Sequence, residues 1–160
     1  MKILLLLMAS SAFLSPAVAE PIASKEIVGT DGDTIKARNS RFRLTGFDTP
    51  EIGRSKCASE KALGRRAKRE LQAIIDSGIK LDLTEVRCSC PESKIGTRWC
   101  NNGRKCGTLS VNGKNVGEAM IAQGLASRFV CSRTKCPKQE SWCCQTTLRT
   151  RRKRACPIGC

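Results

Sequence analysis

The sequence predicts an α+β domain that is mainly β: an OB-fold five-stranded barrel with two or three helices. Three short segments near its start have the alternation of strands, and two more follow a long helical segment. A second, shorter helical segment comes after the fifth strand. Three strands, a helix, two strands and a helix form an order that is compatible with a small closed barrel.

The first three strands are predicted at residues 25–30, 34–38 and 41–47. The turn Asp31-Gly32-Asp33 joins the first two, because Asp and Gly favour turns. Thr49-Pro50 ends the third strand, since proline has no backbone N–H to donate to a neighbouring strand.

The long helix follows, with Ser55 or Ser59 as its N-cap and Gly78 as its stop signal. Its apolar residues recur at helical spacing: Ala58, Ala62, Leu63, Ala67, Leu71, Ile74 and Ile75. Basic residues cover the other side: Lys61, Arg65, Arg66, Lys68 and Arg69. We predict a solvated face there, with contact to a nucleic-acid backbone as the alternative.

The second half of the domain contains two strands and one helix. Residues 79–86 alternate as a half-buried strand, and residues 88–100 resemble an inserted loop. A strand is predicted at 106–111, where the turn signal Asn112-Gly113 follows it. Asn115 is the predicted N-cap of the short helix.

The first 19 residues have the pattern of an export signal. Lys2 precedes an apolar run at residues 3–14, and Ala17-Val18-Ala19 fits a cleavage site, so the mature chain is predicted to begin at Glu20. The run is too short for a transmembrane helix, and an uncleaved anchor is the alternative. We therefore expect a periplasmic or secreted protein with no transmembrane segment after signal cleavage.

The cysteine and histidine counts restrict the chemistry. The chain has eleven cysteines and no histidine, and export makes disulfides the expected state. An odd count leaves at least one thiol free or paired between molecules. Four thiolates around zinc are the alternative for Cys88, Cys90, Cys100 and Cys106. The absence of histidine excludes Ser-His-Asp hydrolases and nucleases that depend on histidine.

Positive charge is concentrated at the end of the chain. The formal net charge is +15, and residues 131–160 contain eight Lys or Arg against one acid. We divide the chain into a signal peptide (1–19), the barrel domain (20–130) and a basic, cysteine-rich C-terminal tail (131–160). Polyanions are the expected partners of the tail: nucleic acid, acidic polysaccharide or an anionic membrane surface. A solubilising or processed tail is the alternative.

Carboxylates and an arginine are grouped around two turns. Asp31-Gly32-Asp33-Thr34 precedes Arg43, and Asp48-Thr49-Pro50-Glu51 follows it closely. Carboxylates bind hard divalent cations, and a metal ion with a guanidinium stabilises charge that develops on a phosphate. Ordinary turn chemistry is the alternative explanation.

These motifs resemble those of the micrococcal nuclease (thermonuclease-like) family. The resemblance covers residues 27–129, and its blocks occur in order with similar spacing. The matching blocks are Asp31-Gly32-Asp33-Thr34, Arg43-Leu44, Asp48-Thr49-Pro50-Glu51, Gly103-Arg104, Asn112-Gly113-Lys114 with Val116 and Glu118-Ala119, and Gln123-Gly124-Leu125-Ala126.

The resemblance implies an OB-fold enzyme that cleaves phosphodiester bonds with one Ca²⁺. Asp33 and Asp48 are then the expected carboxylate ligands, and Thr49 the expected ligand through its backbone carbonyl. Glu51 would orient or deprotonate the attacking water. Arg43 and Arg104 would hold the phosphate and stabilise the transition state.

One departure concerns the residues before Arg104. Asn101-Asn102 stands where the family often has an aromatic that stacks on a base, and Phe129 and Trp99 are the candidate replacements. A second resemblance is to the nuclease-like exported proteins of succinoglycan (exopolysaccharide) biosynthesis. The expected function is a monomeric Ca²⁺-dependent phosphodiesterase acting on DNA or RNA. The alternatives are an accessory protein in exopolysaccharide production and a non-catalytic OB-fold protein that binds polyanions.

Overall fold

The computed structural model of this chain describes residues 20–143. The predicted signal peptide (1–19) and the part of the tail after Cys143 lie outside the described residues. Within the described range, neither helix combines the length and the apolar content that a membrane span needs.

The elements follow the predicted order. They are β1 (Glu20–Pro21), β2 (Ile27–Asp31), β3 (Thr34–Ala37), β4 (Ser40–Leu44), β5 (Gly46–Asp48), α1 (Ala58–Asp76), β6 (Leu81–Val86), β7 (Lys105–Val111), β8 (Lys114–Asn115), α2 (Val116–Ala122) and β9 (Ser127–Phe129). The five predicted strands correspond to β2, β3, β4 with β5, β6 and β7.

The strands form a curled sheet in the order β1-β6-β7-β4-β3-β2, and β8 pairs with β7. Strands β4 and β7 are parallel, whereas β2–β3, β3–β4 and β6–β7 are antiparallel. The predicted third strand is interrupted at Thr45, and β5 begins at Gly46, whose φ of +94° turns the chain away from the sheet. Strand β5 then pairs with β9. The OB-type α+β fold is confirmed.

Helix α1 packs its apolar face against the sheet. Leu63, Ala67, Leu71 and Ile75 are buried at the predicted spacing. The five basic residues on its other side are exposed, as both a solvated face and a contact to a nucleic-acid backbone require. The predicted N-cap was wrong: Cys57 is the N-cap, and its Sγ accepts a hydrogen bond from the backbone N–H of Glu60. Neither Ser55 nor Ser59 occupies that position.

Two further local predictions have opposite outcomes. Asn115 caps α2 as predicted, because its side-chain oxygen accepts from the N–H groups of Gly117 and Glu118. Ile79 was predicted to start a half-buried strand, but its side chain is 97% exposed and the strand begins at Leu81. The residues before Leu81 instead turn around the side chain of Asn112, which accepts from the N–H groups of Ile79 and Lys80.

All eight cysteines in the described range form disulfides. The pairs are Cys88–Cys106, Cys90–Cys100, Cys131–Cys136 and Cys57–Cys143. The prediction that the cysteines are mostly oxidised is confirmed for these eight, and the zinc alternative was wrong because its four sulfurs are used in two disulfides. Cys144, Cys156 and Cys160 lie outside the described residues.

The start of the predicted tail packs on the barrel domain. We call residues 131–143 the C-terminal strap. Trp142 is only 5% exposed and belongs to the main hydrophobic core. The disulfide Cys57–Cys143 joins the strap to the N-terminus of α1. This part of the tail is therefore held against the domain by packing and by a covalent bond.

Candidate active site

A cavity of about 780 Å³ opens beside the turn between β2 and β3. Its walls come from that turn, from β4 and β5, from the loop after β5, from the residues before β7 and from the strap. All six residues that the sequence nominated line this cavity: Asp33, Arg43, Asp48, Thr49, Glu51 and Arg104. The fold thus brings together the whole predicted set.

The turn Asp31-Gly32-Asp33 is pressed against the segment that follows β5. A Cβ placed on Gly32 would lie 2.7 Å from Oγ1 of Thr49 and 2.9 Å from Cβ of Ala67. Any side chain at residue 32 would therefore push the turn away from Thr49 and from α1. The close packing explains why glycine stands between the two aspartates.

Asp33 and Asp48 share one cationic partner. Nη2 of Arg43 lies 3.1 Å from Oδ2 of Asp33 and 2.8 Å from Oδ1 of Asp48. The backbone N–H of Thr49 also donates to Oδ2 of Asp33, at 3.3 Å. Two carboxylates from different turns therefore converge on a single positive group, with the Thr49 backbone beside them.

Burial leaves this pair short of compensating charge. The pKa of Asp48 is raised to about 6, and burial is the largest cause. The positive charge of Arg43 lowers this pKa, whereas the negative charge of Asp33 raises it. Carboxylate oxygens that are buried, close together and incompletely neutralised suit a hard divalent cation. The donor set therefore fits the metal site that the sequence suggests.

Glu51 lies in the same cavity but is not part of a compact trio of carboxylates. Among the described residues, the only three ligand groups that meet within 4.8 Å are Cys57, Glu60 and Cys143, and two of these form a disulfide. Burial raises the pKa of Glu51, and the nearby carboxylate of Asp31 raises it further. A half-buried carboxylate with a raised pKa is suited to accept a proton from water.

The position of Glu51 depends on a glycine in α1. A Cβ on Gly64 would lie 2.6 Å from the carbonyl oxygen of Pro50 and 3.1 Å from that of Glu51. Because residue 64 has no side chain, the helix can approach the loop backbone directly. A side chain at residue 64 would therefore press on the loop that carries Glu51.

Arg104 is fixed by hydrogen bonds at two of its nitrogens. Its Nε donates to the carbonyl oxygen of Asn101 at 2.7 Å, and its Nη1 donates to Oγ1 of Thr34 at 2.8 Å. Burial lowers the pKa of Arg104, and the charge of Asp33 partly offsets this effect. Because a guanidinium is very strongly basic, the group is still cationic at neutral pH.

The backbone explains the asparagines before Arg104. Asn101 and Asn102 have φ values of +49° and +57°, in the left-handed region that asparagine tolerates better than bulky residues do. Of the two proposed aromatic replacements, Phe129 lines the cavity and Trp99 does not. Trp99 is 69% exposed, and the Arg98 guanidinium lies over its ring at 4.6 Å.

Sequence reasoning missed several residues of the cavity wall. Asp31, Arg41, Arg54 and Gln139 line it as well. Asp31 belongs to the quoted motif, so its place beside Asp33 was the available signal. Gln139 carries no signal in the sequence, because 91 residues separate it from Asp48, to which it donates a hydrogen bond.

Comparison with known families agrees with this geometry. The model of the staphylococcal nuclease homologue family matches residues 41–154, more than half of the chain. The chain belongs to the staphylococcal nuclease homologue family. Members of this family act on nucleic acids and are typically metal-dependent. The match to the staphylococcal nuclease homologues contains Arg43, Asp48, Glu51 and Arg104, begins after Asp33, and includes the strap.

Proposed function

We propose that this protein is an exported, Ca²⁺-dependent phosphodiesterase that hydrolyses the backbone of DNA or RNA. One observation carries the proposal. The carboxylates of Asp33 and Asp48 converge on one position for positive charge, and Glu51 and Arg104 line the same cavity.

Three residues would hold the cation. Asp33 and Asp48 offer anionic oxygens, and the backbone carbonyl of Thr49 offers a neutral one. Oxygen ligands of this kind suit Ca²⁺, which accepts carboxylates, carbonyls and waters together. When bound, the ion would supply positive charge that offsets the charge developing on the phosphate.

Arg43 and Arg104 would bind the phosphate. Arg104 is already held at the cavity wall by Thr34 and Asn101. Arg43 now forms ion pairs with the two aspartates, and its guanidinium becomes available to the substrate once another positive charge compensates them. Guanidinium groups suit this role because they contact phosphate oxygens through two N–H groups at once.

Glu51 would act as the base. The chain has no histidine, so a carboxylate is the best available acceptor for the proton of the attacking water. The raised pKa of Glu51 brings its basicity closer to neutral pH than that of an ordinary carboxylate.

Export is part of the proposal because two features favour an oxidising compartment. Residues 1–19 have the pattern of a cleavable signal. The described residues contain four disulfides, which are rare in proteins that remain in the cytosol.

The test is cleavage of single-stranded DNA and RNA oligonucleotides by the purified protein. We expect cleavage with Ca²⁺ and none with EDTA, and no action on an uncharged glycan. Folded protein that binds the oligonucleotides without cleaving them would favour the polyanion-binding alternative. Action on an acidic polysaccharide alone would favour the exopolysaccharide alternative.

A further inference from the structure

The strap forms one wall of the cavity. Four of its residues line the cavity: Cys136, Gln139, Glu140 and Trp142. Every residue with a predicted role in the site lies between Asp33 and Arg104 in the sequence. None of those roles involves the strap. Its contact with a proposed cation ligand is direct.

Gln139 makes that contact. Its Nε2 donates a hydrogen bond to Oδ1 of Asp48 at 3.3 Å. The same oxygen lies 2.8 Å from Nη2 of Arg43. Asp48 is therefore held by one group from the barrel and by one group from the strap.

The strap is anchored to the barrel domain just after Gln139. Before it, Cys131–Cys136 closes a short loop within the strap. After it, Trp142 is buried in the core and Cys143 is bonded to Cys57. The exposed segment around Gln139 is thus held in place by the burial of Trp142 and by the Cys57–Cys143 bond.

Cys57 also connects the strap to the segment that follows Glu51. It is the N-cap of α1 and follows Glu51 by six residues. The Cys57–Cys143 bond therefore ties the strap to the segment that carries the proposed base, and the same strap contacts a proposed ligand.

We propose that Gln139 is a positioning residue that orients the Asp48 carboxylate for the cation, and that the Cys57–Cys143 bond holds it there. This inference rests on the proposed function, because it assigns Asp48 as a cation ligand. Groups that hydrogen-bond a metal ligand from behind fix its orientation, and their loss typically weakens metal binding about 10- to 100-fold.

The first test is Gln139→Met, which keeps the length of the side chain and removes the N–H donor. We expect the Ca²⁺ dissociation constant, measured by titration calorimetry, to rise about tenfold. The melting temperature in EDTA should be unchanged, because Gln139 is exposed. The Ca²⁺ concentration that gives half-maximal turnover should rise by the same factor, which separates positioning of a ligand from general damage.

Gln123→Met is the matched control. Gln123 is also exposed, and its Nε2 donates to the carboxylate of Glu70 at 2.8 Å, outside the cavity. The control should bind Ca²⁺ as the wild type does. A second arm replaces Cys57 and Cys143 together by serine; it should also raise the dissociation constant, and more than the pair Cys131→Ser/Cys136→Ser does.

The outcomes separate this inference from the proposed function. A wild type that binds Ca²⁺ and cleaves DNA, with Gln139→Met binding equally well, overturns the inference alone. A wild type that binds Ca²⁺ without cleaving, with the variant weakened, supports the inference and overturns the function. A wild type that binds no Ca²⁺ overturns both. If the serine pair at residues 57 and 143 does not fold, the Gln139→Met arm decides.

Discussion

Arg43 has two acidic partners in the structure and one anionic substrate in the proposed reaction. Its Nη2 contacts both Asp33 and Asp48, at the position where their negative charges converge. A bound cation and the Arg43 guanidinium therefore compete to neutralise the same two carboxylates. The competition leads to a prediction that separates catalysis from cation binding.

Arg43→Met should slow turnover by about 10²–10³, because a donor to the transition-state charge is lost. Ca²⁺ binding at pH 8 should be no weaker than in the wild type, since a competing positive charge has been removed. Arg43→Lys should restore turnover only in part, because an ammonium lacks the two-pronged contact. Calorimetry and steady-state rates on the same samples provide the measurement. Ca²⁺ affinity that falls with the turnover would contradict this account of Arg43.

At the residue scale, motif spacing predicted most of the site. Asp33, Arg43, Asp48 and Glu51 lie close together in the sequence, on β4, on β5 and in the turns beside them, so their convergence required little long-range information. The cap of α1 was not predictable in the same way. Serine is the usual cap, but the disulfide to the strap fixes Cys57 at that position.

Helix α1 approaches the loop that carries Glu51 at one glycine, Gly64. Gly64 allows the helix to contact the backbone of Pro50 and Glu51, where a Cβ would lie 2.6 Å from the Pro50 oxygen. Backbone cannot move aside as a flexible side chain can. The loop that carries Glu51 must therefore shift if residue 64 acquires a side chain.

Gly64→Ala should reduce turnover about tenfold or more, because small misplacements of catalytic groups are costly. Ca²⁺ binding should change less, since the proposed ligands precede this contact. Gly53→Ala is the matched control in the same loop, where a Cβ would meet nothing within 4 Å. Rates and Ca²⁺ titrations of both variants test the prediction; equal rates would show that the helix contact does not position Glu51.

At the element scale, the long periodic segments were predictable and the shortest were not. Helix α1 and strands β3, β6 and β7 were located to within a few residues from their spacing. Strand β9 has only three residues and no alternation to detect, so its pairing with β5 was missed. The exposed Ile79 misled the prediction because its neighbours turn around Asn112 before the ladder begins.

Positive charge over the whole molecule favours long polyanions, and residues 144–160 contain five of the basic residues. Deleting residues 144–160 should flatten the log-log salt dependence of single-stranded DNA binding by up to about 3 units. Turnover at low salt should remain. Replacing those five residues by glutamine at unchanged length is the control and should give the same slope. An unchanged slope would remove the segment from the binding surface.

The boundary of that deletion could not be set from charge alone. Composition alone placed the start of the tail after Val130, yet Trp142 lies in the core and Cys143 is bonded to Cys57. A deletion after Val130 would remove both and confound stability with binding. Long-range contacts of this kind depend on the folded chain, and no local pattern reports them.

The central claim is that the acidic residues divide into cation ligands and a base. It is tested most directly by measuring Ca²⁺ affinity and oligonucleotide cleavage together for the wild type, Asp48→Asn and Glu51→Gln. We predict that Asp48→Asn weakens Ca²⁺ binding by about tenfold or more, because an anionic ligand becomes neutral. Glu51→Gln should bind Ca²⁺ as the wild type does and lose about 10²–10⁴ in turnover. Equal Ca²⁺ affinity in all three proteins, or full turnover in Glu51→Gln, would contradict the claim.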